Sequence, residues 1–434
     1  MESGIRCRDA GHRPPGVSAP PSRGESHVST IAFTNAHVFD GREFLEGRND
    51  VVVSDGVVVA SGPNAAASHA GAQVVDLDGN TLLPGLIDLH VHMAAENAGS
   101  MGIINDPYSL SYFRSVGYLE KTLKIGITTV RDAGGADLGM KTAVESGLIK
   151  GPRMRLAINI MSQTGGHGDG HRPSGLDIPL MPQTPGRPLA IADGPDECRK
   201  VARTLFRAGA DHIKICTSGG VLSPTDDPRH PQFTVDEIKA IVEEAEAHGS
   251  YVMAHAQGTG GIQNALRGGV RTIEHGIYLD EPTIELFLEK DAWLVPTLVA
   301  PLMVVRAADR PNSGLADNVV AKARMVLETH QASFRAAHEA GVNIAMGTDT
   351  GVGPHGSNLE ELSLMHTVGG MTLAEVLRAS TSDAAAFVGM PVGALTEGSY
   401  GDAVVLNGTL TDAAQLADLG SMIQQVYLAG QPQL

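Results

Sequence analysis

Two histidines end the most apolar stretch of this sequence. In LLPGLIDLHVHM, residues 82–93, a single valine separates His90 from His92. Side chains alternate along a strand, so both imidazoles would point to the same side. Imidazole is a good ligand for zinc and related divalent ions. The pair therefore indicates a metal site, unless its spacing is accidental.

Four further polar residues lie within or at the end of short apolar runs. Lys214 lies within DHIKICTSGG, His255 follows YVMA, His275 follows RTIE, and Asp349 follows NIAMGT. Each has an ordinary explanation by itself, because a strand-end histidine can be structural, a lysine can form an ion pair and an aspartate can cap a helix. With the histidine pair, however, they recur at equivalent places on five predicted strands, which coincidence explains poorly.

Lys214 is the unexpected member of this set, since an ammonium group repels a cation. The residue fits if its amine is neutral, or if carbon dioxide converts it to a carbamate. A carbamate is negatively charged and has two oxygens, so it could bridge two metal ions. Two neighbouring ions can share a water molecule and make it hydroxide near neutral pH.

These side chains need strands that bring them to one end of a sheet. From residue 84 to residue 388, short apolar runs alternate with stretches of helical period, which predicts parallel strands joined by helical crossovers. About 250 residues is typical of a closed eight-stranded barrel, whose chemistry lies at the carboxyl ends of its strands. The predicted strands are 86–91, 127–131, 154–160, 211–216, 251–255, 271–275, 292–296 and 343–348.

Helix starts can be predicted from a capping pattern. A Ser or Thr followed three residues later by Glu forms a capping box at the start of a helix. The sequence contains this pattern before helical stretches at Thr234 with Glu237, at Thr372 with Glu375 and at Ser357 with Glu360.

The two ends of the chain differ from its middle. Residues 30–83 and 389–434 contain β-branched runs separated by Gly or Asp-Gly turns, which predicts short strands. Residues 1–29 are rich in Pro, Gly, Ser and Arg and lack the apolar segment of a secretory signal. They are expected to form a disordered tail, or to be translation upstream of the true start. The sequence thus predicts an α/β fold, a TIM-type (β/α)8 barrel over residues 84–388 with strands at both ends.

Composition restricts the partners. The 434 residues include 49 acidic and 32 basic ones, for a formal net charge of −17. This sign argues against nucleic acid and against an anionic membrane surface as partners, and no apolar run reaches the roughly 18 residues of a membrane span. The three cysteines form no CxxC pair and fit a reducing compartment. A cytoplasmic protein with a small-molecule substrate is expected.

The motifs PGLIDLHVH, HIKI, AHA, EHG and GTDTG, in this order, resemble the metal-dependent amidohydrolase superfamily. The resemblance covers about residues 30 to 430. It implies a small β-sandwich domain built from residues 30–83 and 389–434, in addition to the barrel. It also implies a homo-oligomer and a hydrolase that acts most often on C–N bonds of amides, ureas or cyclic amides.

The resemblance also assigns roles to the polar residues. The first two histidines and the aspartate would hold a buried metal ion, the other two histidines would hold a more exposed one, and the lysine, as N6-carboxylysine, would bridge them. The aspartate would take the proton of the bridging hydroxide as it attacks. The implied ligands of these two divalent ions, expected to be zinc, are His90, His92, Lys214, His255, His275 and Asp349.

Three further segments resemble one branch of this superfamily, the imidazolonepropionase-like enzymes and Xaa-Pro dipeptidases. They are TGGHGDGHRPSG, KICTSGGVLSP and EHGIYLDE. In that branch His167 would lie near the substrate, and Tyr278 could polarise the scissile carbonyl or bind a carboxylate. Gln257 stands where some dipeptidases of the branch carry tyrosine, so a substrate carboxylate would lose one partner.

Several functions therefore stay open. The first is a binuclear amidohydrolase of the dipeptidase or aryl-amidase type, and the second is a hydrolase of phenylureas, carbamates or other neutral amides. A lactonase or phosphotriesterase could use the same two metals. A non-catalytic relative would have lost metal ligands, whereas this chain retains all six.

Overall fold

A computed structural model describes residues 30–96, 105–172, 174–178, 180–223, 226–309 and 317–433. The predicted tail, residues 1–29, lies outside the described residues. Strands and helices alternate through the middle of the chain, and strands predominate at its ends. Among the helices in these ranges, none is long and apolar enough to cross a membrane.

Seventeen strands are present in the described residues. They are β1 (Thr30–Val38), β2 (Asn49–Ser54), β3 (Val57–Gly62), β4 (Gln73–Asp76), β5 (Thr81–Pro84), β6 (Leu86–Val91), β7 (Ile127–Asp132), β8 (Arg153–Leu156), β9 (Ile160–Met161), β10 (Ile213–Cys216), β11 (Val252–Ala256), β12 (Thr272–His275), β13 (Trp293–Val295), β14 (Asn343–Ile344), β15 (Ala403–Leu406), β16 (Ile423–Leu428) and β17 (Gln431–Pro432).

The described helices lie mostly between the strands of the middle region. They are α1 (Tyr108–Lys124), α2 (Leu138–Glu145), α3 (Pro195–Arg207), α4 (Val235–Ala247), α5 (Thr259–Gly268), α6 (Glu281–Lys290), α7 (Val299–Ala308), α8 (Asp317–Glu339), α9 (Glu360–Gly369), α10 (Leu373–Ala379), α11 (Ser382–Ala385) and α12 (Leu419–Met422). Two short 3-10 helices span Ala65–Ser68 and Ala413–Asp418.

The middle of the chain forms two parallel sheets. One has the order β6-β7-β8, and the other has the order β14-β13-β12-β11-β10-β9. Backbone hydrogen bonds also join the sheets to each other, from Leu89 N to Met346 O (3.0 Å) and from Asp211 N to Leu156 O (2.7 Å). The predicted α/β fold with parallel strands is therefore confirmed.

Most predicted strands agree with the observed ones to within about two residues, but two do not. The predicted strand 154–160 is divided into β8 and β9, because Ile158 adopts a positive φ of 68° that interrupts the extended chain. The predicted strand 343–348 pairs in a ladder only at Asn343–Ile344. Beyond it, single backbone hydrogen bonds connect the chain to β6 and to Ala379.

Strands from both ends of the chain share one mixed sheet. Its order is β17-β16-β15-β5-β1-β2-β3, and β4 pairs with β1. The N-terminal strand β5 and the C-terminal strand β15 are antiparallel neighbours. Phe33 and Tyr427 pack edge to face at 4.8 Å in a hydrophobic cluster of this sheet that is distinct from the main core. Long-range pairing thus joins the two strand-rich segments that the sequence predicts.

Two of the three predicted capping boxes form. Thr234 and Thr372 each accept a hydrogen bond from the backbone N–H of a glutamate three residues later. The side chain of that glutamate accepts a hydrogen bond from the backbone N–H of the threonine. The prediction for Ser357 is wrong. Its hydroxyl donates to Pro354 O instead (2.7 Å), and α9 begins after Leu359 without a side-chain cap.

Candidate metal centre

The six residues predicted as ligands lie within parallel strands or in the chain that follows them. They come from five strands that are distant in sequence, which only the sheet order brings together. Their positions are His90 in β6, His92 after β6, Lys214 in β10, His255 in β11, His275 at the end of β12 and Asp349 beyond β14.

Three of these residues form a compact group of metal-binding atoms. His90, His92 and Asp349 each offer one ligand atom, and these atoms lie within 4.8 Å of one another. Asp349 Oδ1 is 3.1 Å from His92 Nε2 and 3.4 Å from His90 Nε2. Burial opposes the ionisation of Asp349, but its contacts with the imidazoles of His90 and His92 hold its pKa below the usual value. The carboxylate is therefore ionised at neutral pH.

Lys214 lies next to this group of metal-binding atoms. Its Nζ lies 3.4 Å from His90 Nε2, and the side chain is buried. Burial lowers the pKa of Lys214, and the neighbouring Glu274 opposes this only in part. A neutral amine is the form that reacts with carbon dioxide, so the environment is chemically suited to a carbamate.

The remaining two histidines extend the cluster. The His275 ring lies 5.2 Å from the His90 ring and 4.7 Å from the His255 ring, measured between centroids. Burial lowers the pKa of both His255 and His275 well below the usual value. Neutral imidazole is the form that can bind a metal ion.

The second nitrogen of each imidazole is held by another group. His90 Nδ1 lies 2.8 Å from Glu274 Oε2, and His92 Nδ1 lies 2.7 Å from Gly134 O. His275 Nδ1 contacts Thr297 Oγ1 at 2.7 Å, so three rings keep Nε2 for a metal. In His255 the two nitrogens exchange roles: Nε2 lies 3.1 Å from Gly219 O, and Nδ1 is the nitrogen that could bind a metal. Metal-binding histidines are usually oriented in this way, so the donor set fits divalent ions.

A buried ion pair supports His90. Arg131 donates from its guanidinium to Glu274 Oε1 (2.9 Å), to Thr272 Oγ1 (3.1 Å) and to the carbonyl of Leu89 (2.7 Å). Arg131 and Glu274 are both completely buried. Because the guanidinium satisfies one oxygen of Glu274, the other oxygen stays directed at His90. Neither residue was predicted as part of the site from the sequence, although Glu274 is the glutamate of the EHG motif.

Two aspartates hold the strand that carries the first histidines. Asp88 accepts from the backbone of His90 (3.0 Å) and of Thr348 (3.1 Å), which ties β6 to the chain before Asp349. Asp132 accepts from Met93 N (2.7 Å) and Gly134 N (2.9 Å) and thereby fixes the loop whose carbonyl contacts His92. Neither was predicted, since an aspartate inside an apolar run shows no partner in the sequence.

The glycines of the GTDTG motif allow its close approach to β6. A Cβ at Gly347 would lie 2.9 Å from His90 Cβ, and one at Gly351 would lie 2.7 Å from His92 Cβ. Gly351 also has a φ of +120°, which side-chain-bearing residues rarely adopt. The two glycines thus permit Asp349 to lie between the two histidines.

The predicted substrate residues lie beside the second pair of histidines. The ring of His167 stacks on that of His255 at 4.3 Å. Gln257 follows His255 by two residues, and its buried Oε1 has no hydrogen-bond partner among the described residues. Tyr278 donates its backbone N–H to Gln257 O at 2.9 Å. The three residues that the sequence predicts thus adjoin one side of the cluster.

Comparison with known proteins identifies the family of this chain. Residues 81–432 match the amidohydrolase family. Ochratoxinase of Aspergillus niger is 36% identical over 340 residues, which are 75% of this chain and 70% of ochratoxinase. A prolidase structure in complex with N-methylphosphonate-L-proline is 36% identical with a TM-score of 0.83, over 93% of this chain and 99% of the prolidase.

A more distant relative has the same overall extent. Imidazolonepropionase of Salinispora arenicola (strain CNS-205) is 24% identical over 434 residues, which are 92% of this chain and 96% of the relative. The chain therefore belongs to the amidohydrolase family, in the branch that includes imidazolonepropionase and the prolidases, and it is a hydrolase of carbon–nitrogen bonds.

Proposed function

We propose that the chain is a binuclear metal-dependent amidohydrolase of the dipeptidase or aryl-amidase type. The observation that supports this most is the second partner of each imidazole, which leaves one nitrogen on each of four rings for metal. Two divalent ions, expected to be zinc, would activate a water molecule and polarise the scissile carbonyl. Carboxylated Lys214 would supply the bridging ligand.

The chain's own residues would carry the proton. Asp349 is ionised at neutral pH and adjoins both His90 and His92, so it can accept a proton from the attacking water. The leaving nitrogen must gain a proton, because an amide anion is too basic to depart. Asp349 can donate that proton in the second half of the reaction.

The relatives guide the choice of substrate. Proteins named prolidase and ochratoxinase match most of this chain, so we propose an amide that carries a free carboxylate. His167 and Tyr278 would contact it at the side of His255 and His275. Gln257 favours a second candidate, because its unpartnered Oε1 could accept from the N–H of a neutral amide, urea or carbamate.

A substrate screen with metal analysis tests the proposal. The protein would be purified without chelators and assayed with Xaa-Pro dipeptides, N-acyl amino acids, phenylureas, carbamates, lactones and phosphotriesters. We expect about two divalent ions per chain and turnover of carboxylate-bearing amides. Turnover of neutral amides alone would select the second candidate. Full activity without metal, or turnover of esters but of no C–N bond, would contradict the proposal.

The closure of the barrel, the β-sandwich and the assembly of the protein are also proposals. We propose that the parallel strands close into a (β/α)8 barrel over residues 84–388, which the hydrogen bonds between the two parallel sheets support. The mixed sheet of residues 30–83 and 389–434 would form the β-sandwich. We further propose a cytoplasmic homo-oligomer without a nucleic-acid or membrane partner, for which light scattering at micromolar concentration would give a mass well above the 45.3 kDa of one chain.

A further inference from the structure

His167 is held by contacts that the metal cluster does not require. Its ring is stacked on His255, and its backbone N–H donates to Gln232 Oε1 at 2.9 Å. Gly220 lies against the ring, because a Cβ there would be 2.2 Å from His167 Cε1. The His167 side chain is only 8% exposed. The position of the ring is thus determined by the protein before any substrate arrives.

One carboxylate contacts the edge of this ring. Asp226 Oδ2 lies 3.3 Å from His167 Nδ1, and the Asp226 side chain is 7% exposed. The same carboxylate accepts from Gly220 N (3.2 Å), from the Ser223 hydroxyl and from Gln232 Nε2 (3.4 Å). Asp226 therefore connects His167 to the two residues, Gly220 and Gln232, that contact His167 from other directions.

An ammonium group fixes the chain around Asp226. Lys322, on α8, donates from Nζ to the carbonyls of Gly220 (2.8 Å), Ser223 (2.7 Å) and Asp226 (3.1 Å). Nζ also lies 3.7 Å from Asp226 Oδ1, so the ammonium group and the carboxylate form an ion pair. Three carbonyl acceptors satisfy the donors of this ammonium group, which indicates a structural anchor.

We propose that Asp226 is a positioning residue that holds His167 as a substrate-binding group, and that Lys322 anchors the chain segment carrying Asp226. This inference rests on the proposed function, in which His167 contacts the substrate. With Nδ1 facing Asp226, the Nε2 edge of the ring is the edge available to an oxygen of the substrate. Asp226 acts through His167 and touches neither metal nor substrate.

The first test uses two matched aspartates. Asp226→Asn keeps the size of the side chain but removes its charge, whereas Asp227→Asn changes the next residue, which forms an ion pair with Arg229 near the surface. We expect Asp226→Asn to raise KM on the order of 10- to 100-fold, as for the coupling of residues in contact, because the variant removes the charge 3.3 Å from His167 Nδ1; kcat and metal content should be nearly unchanged. Asp227→Asn should leave KM within about twofold of wild type.

The second test displaces His167 without removing a polar group. Gly220→Ala would place a methyl group on the His167 ring, whereas Gly260→Ala, close to the same chain segment, would meet Pro231 at an ordinary 3.6 Å. Gly220→Ala should raise KM like Asp226→Asn, and Gly260→Ala should not. A purely structural role would instead lower metal content or kcat in both sensitive variants.

Hydrogen exchange supplies a readout that does not depend on turnover. In the resting protein, Asp226→Asn and Lys322→Met should speed exchange of the His167 amide, which donates to Gln232, while Asp227→Asn should not. Unchanged KM and unchanged exchange in Asp226→Asn would overturn this inference even if the wild type hydrolyses amides. Absence of turnover by the wild type would contradict the proposed function alone, since exchange would still report whether Asp226 holds His167.

Discussion

Two residues of the candidate centre adopt backbone conformations that side-chain-bearing residues rarely take. His275 has a φ of 75° and Asp349 a φ of 58°, and Thr297, which contacts His275, has a φ of 52°. Each such residue costs roughly 1–3 kcal/mol and persists only where surrounding contacts hold it. The burial of all three residues shows that packing supports this strain. The strained turns aim these side chains at the cluster.

Replacement of Asp349 tests its role in proton transfer. Asp349→Asn keeps the shape of the side chain but cannot accept a proton, so kcat/KM should fall by about 10²–10⁴-fold. The assay would use the substrate found in the screen, and elemental analysis would show whether both metal ions remain. Near wild-type activity with both ions bound would assign the base to another residue.

Replacement of Lys214 tests the bridging carbamate. Lys214→Ala should lose activity and one or both metal ions, and a short carboxylic acid in solution should restore part of both by supplying the missing carboxylate. Lys214→Arg should not respond, because its guanidinium stays charged and fills the space. Activity of the alanine variant and acid dependence of its metal content are the two measurements. Full metal content in Lys214→Ala without added acid would exclude the bridge.

Replacement of Glu274 tests the support of His90. Glu274→Gln keeps the size of the side chain but loses the charge that orients the imidazole, so metal affinity should fall about 10- to 100-fold. Competition with a chelator would measure this affinity. Glu244→Gln is a matched control, because Glu244, on α4, is also buried and pairs with an arginine, Arg203, but contacts no residue of the metal cluster. Equal affinity of the two variants would mean that Glu274 only stabilises the fold.

At the scale of secondary structure, the same local pattern led to different outcomes. Thr234 and Thr372 cap their helices through Glu237 and Glu375, whereas Ser357 binds Pro354 and caps no helix. Capping depends on where the helix begins, and packing of the preceding chain sets that point for α9. Local sequence predicts which residues can cap but not which of them will.

Thermodynamic measurements can separate these cases. Thr234→Ala and Thr372→Ala should each lower the free energy of unfolding by about 1 kcal/mol, the usual effect of losing an N-terminal cap. Ser357→Ala should have a smaller effect, because no backbone donor of a helix loses its partner. Urea unfolding followed by circular dichroism would measure all three. A larger loss for Ser357→Ala than for Thr234→Ala would contradict this interpretation.

A sequence shows local patterns but not contacts between distant segments, and this explains which parts of the site could be predicted. His90 and His92 are recognisable because their spacing matches the alternation of a strand, and the other predicted ligands lie within or at the end of apolar runs. Arg131 and Glu274 are 143 residues apart, and only the order of the sheets brings them together. The break at Ile158 was equally invisible, since isoleucine favours strands. Periodicity predicts the elements, whereas contacts between distant elements require the structure.

For the molecule as a whole, buried histidines should determine the response to acid. His330 and His355 lie outside the metal cluster and are buried. Burial lowers the pKa of each to about 4, below the value near 6.5 of an unfolded chain. Between these values the unfolded state binds more protons than the folded state. The stability that these groups contribute is complete above about pH 6.5 and is lost as the pH falls towards about 4.

His330→Gln tests this acid response. His330 donates from Nε2 to His275 O at 2.9 Å, and the glutamine amide can keep a donor there while removing the titration. Between pH 7.5 and pH 5 the wild type should lose about 1–2 kcal/mol of stability more than this variant. Urea midpoints at both pH values would measure the difference. An equal loss in His330→Gln would exclude His330 as the source.

The mixed sheet that joins both ends of the chain has a consequence for biosynthesis. Asn80 and Thr81, at the start of β5, bind Gly408 and Leu410, which follow 328 and 329 residues later. While the ribosome is still making the middle of the chain, β5 has no β15 to pair with, and its edge is open to other strands. Completion of this sheet must therefore wait until the ribosome has also translated β15. A nascent chain arrested before β15 would expose that edge, and chaperones that shield unpaired strands would bind it at this stage of synthesis.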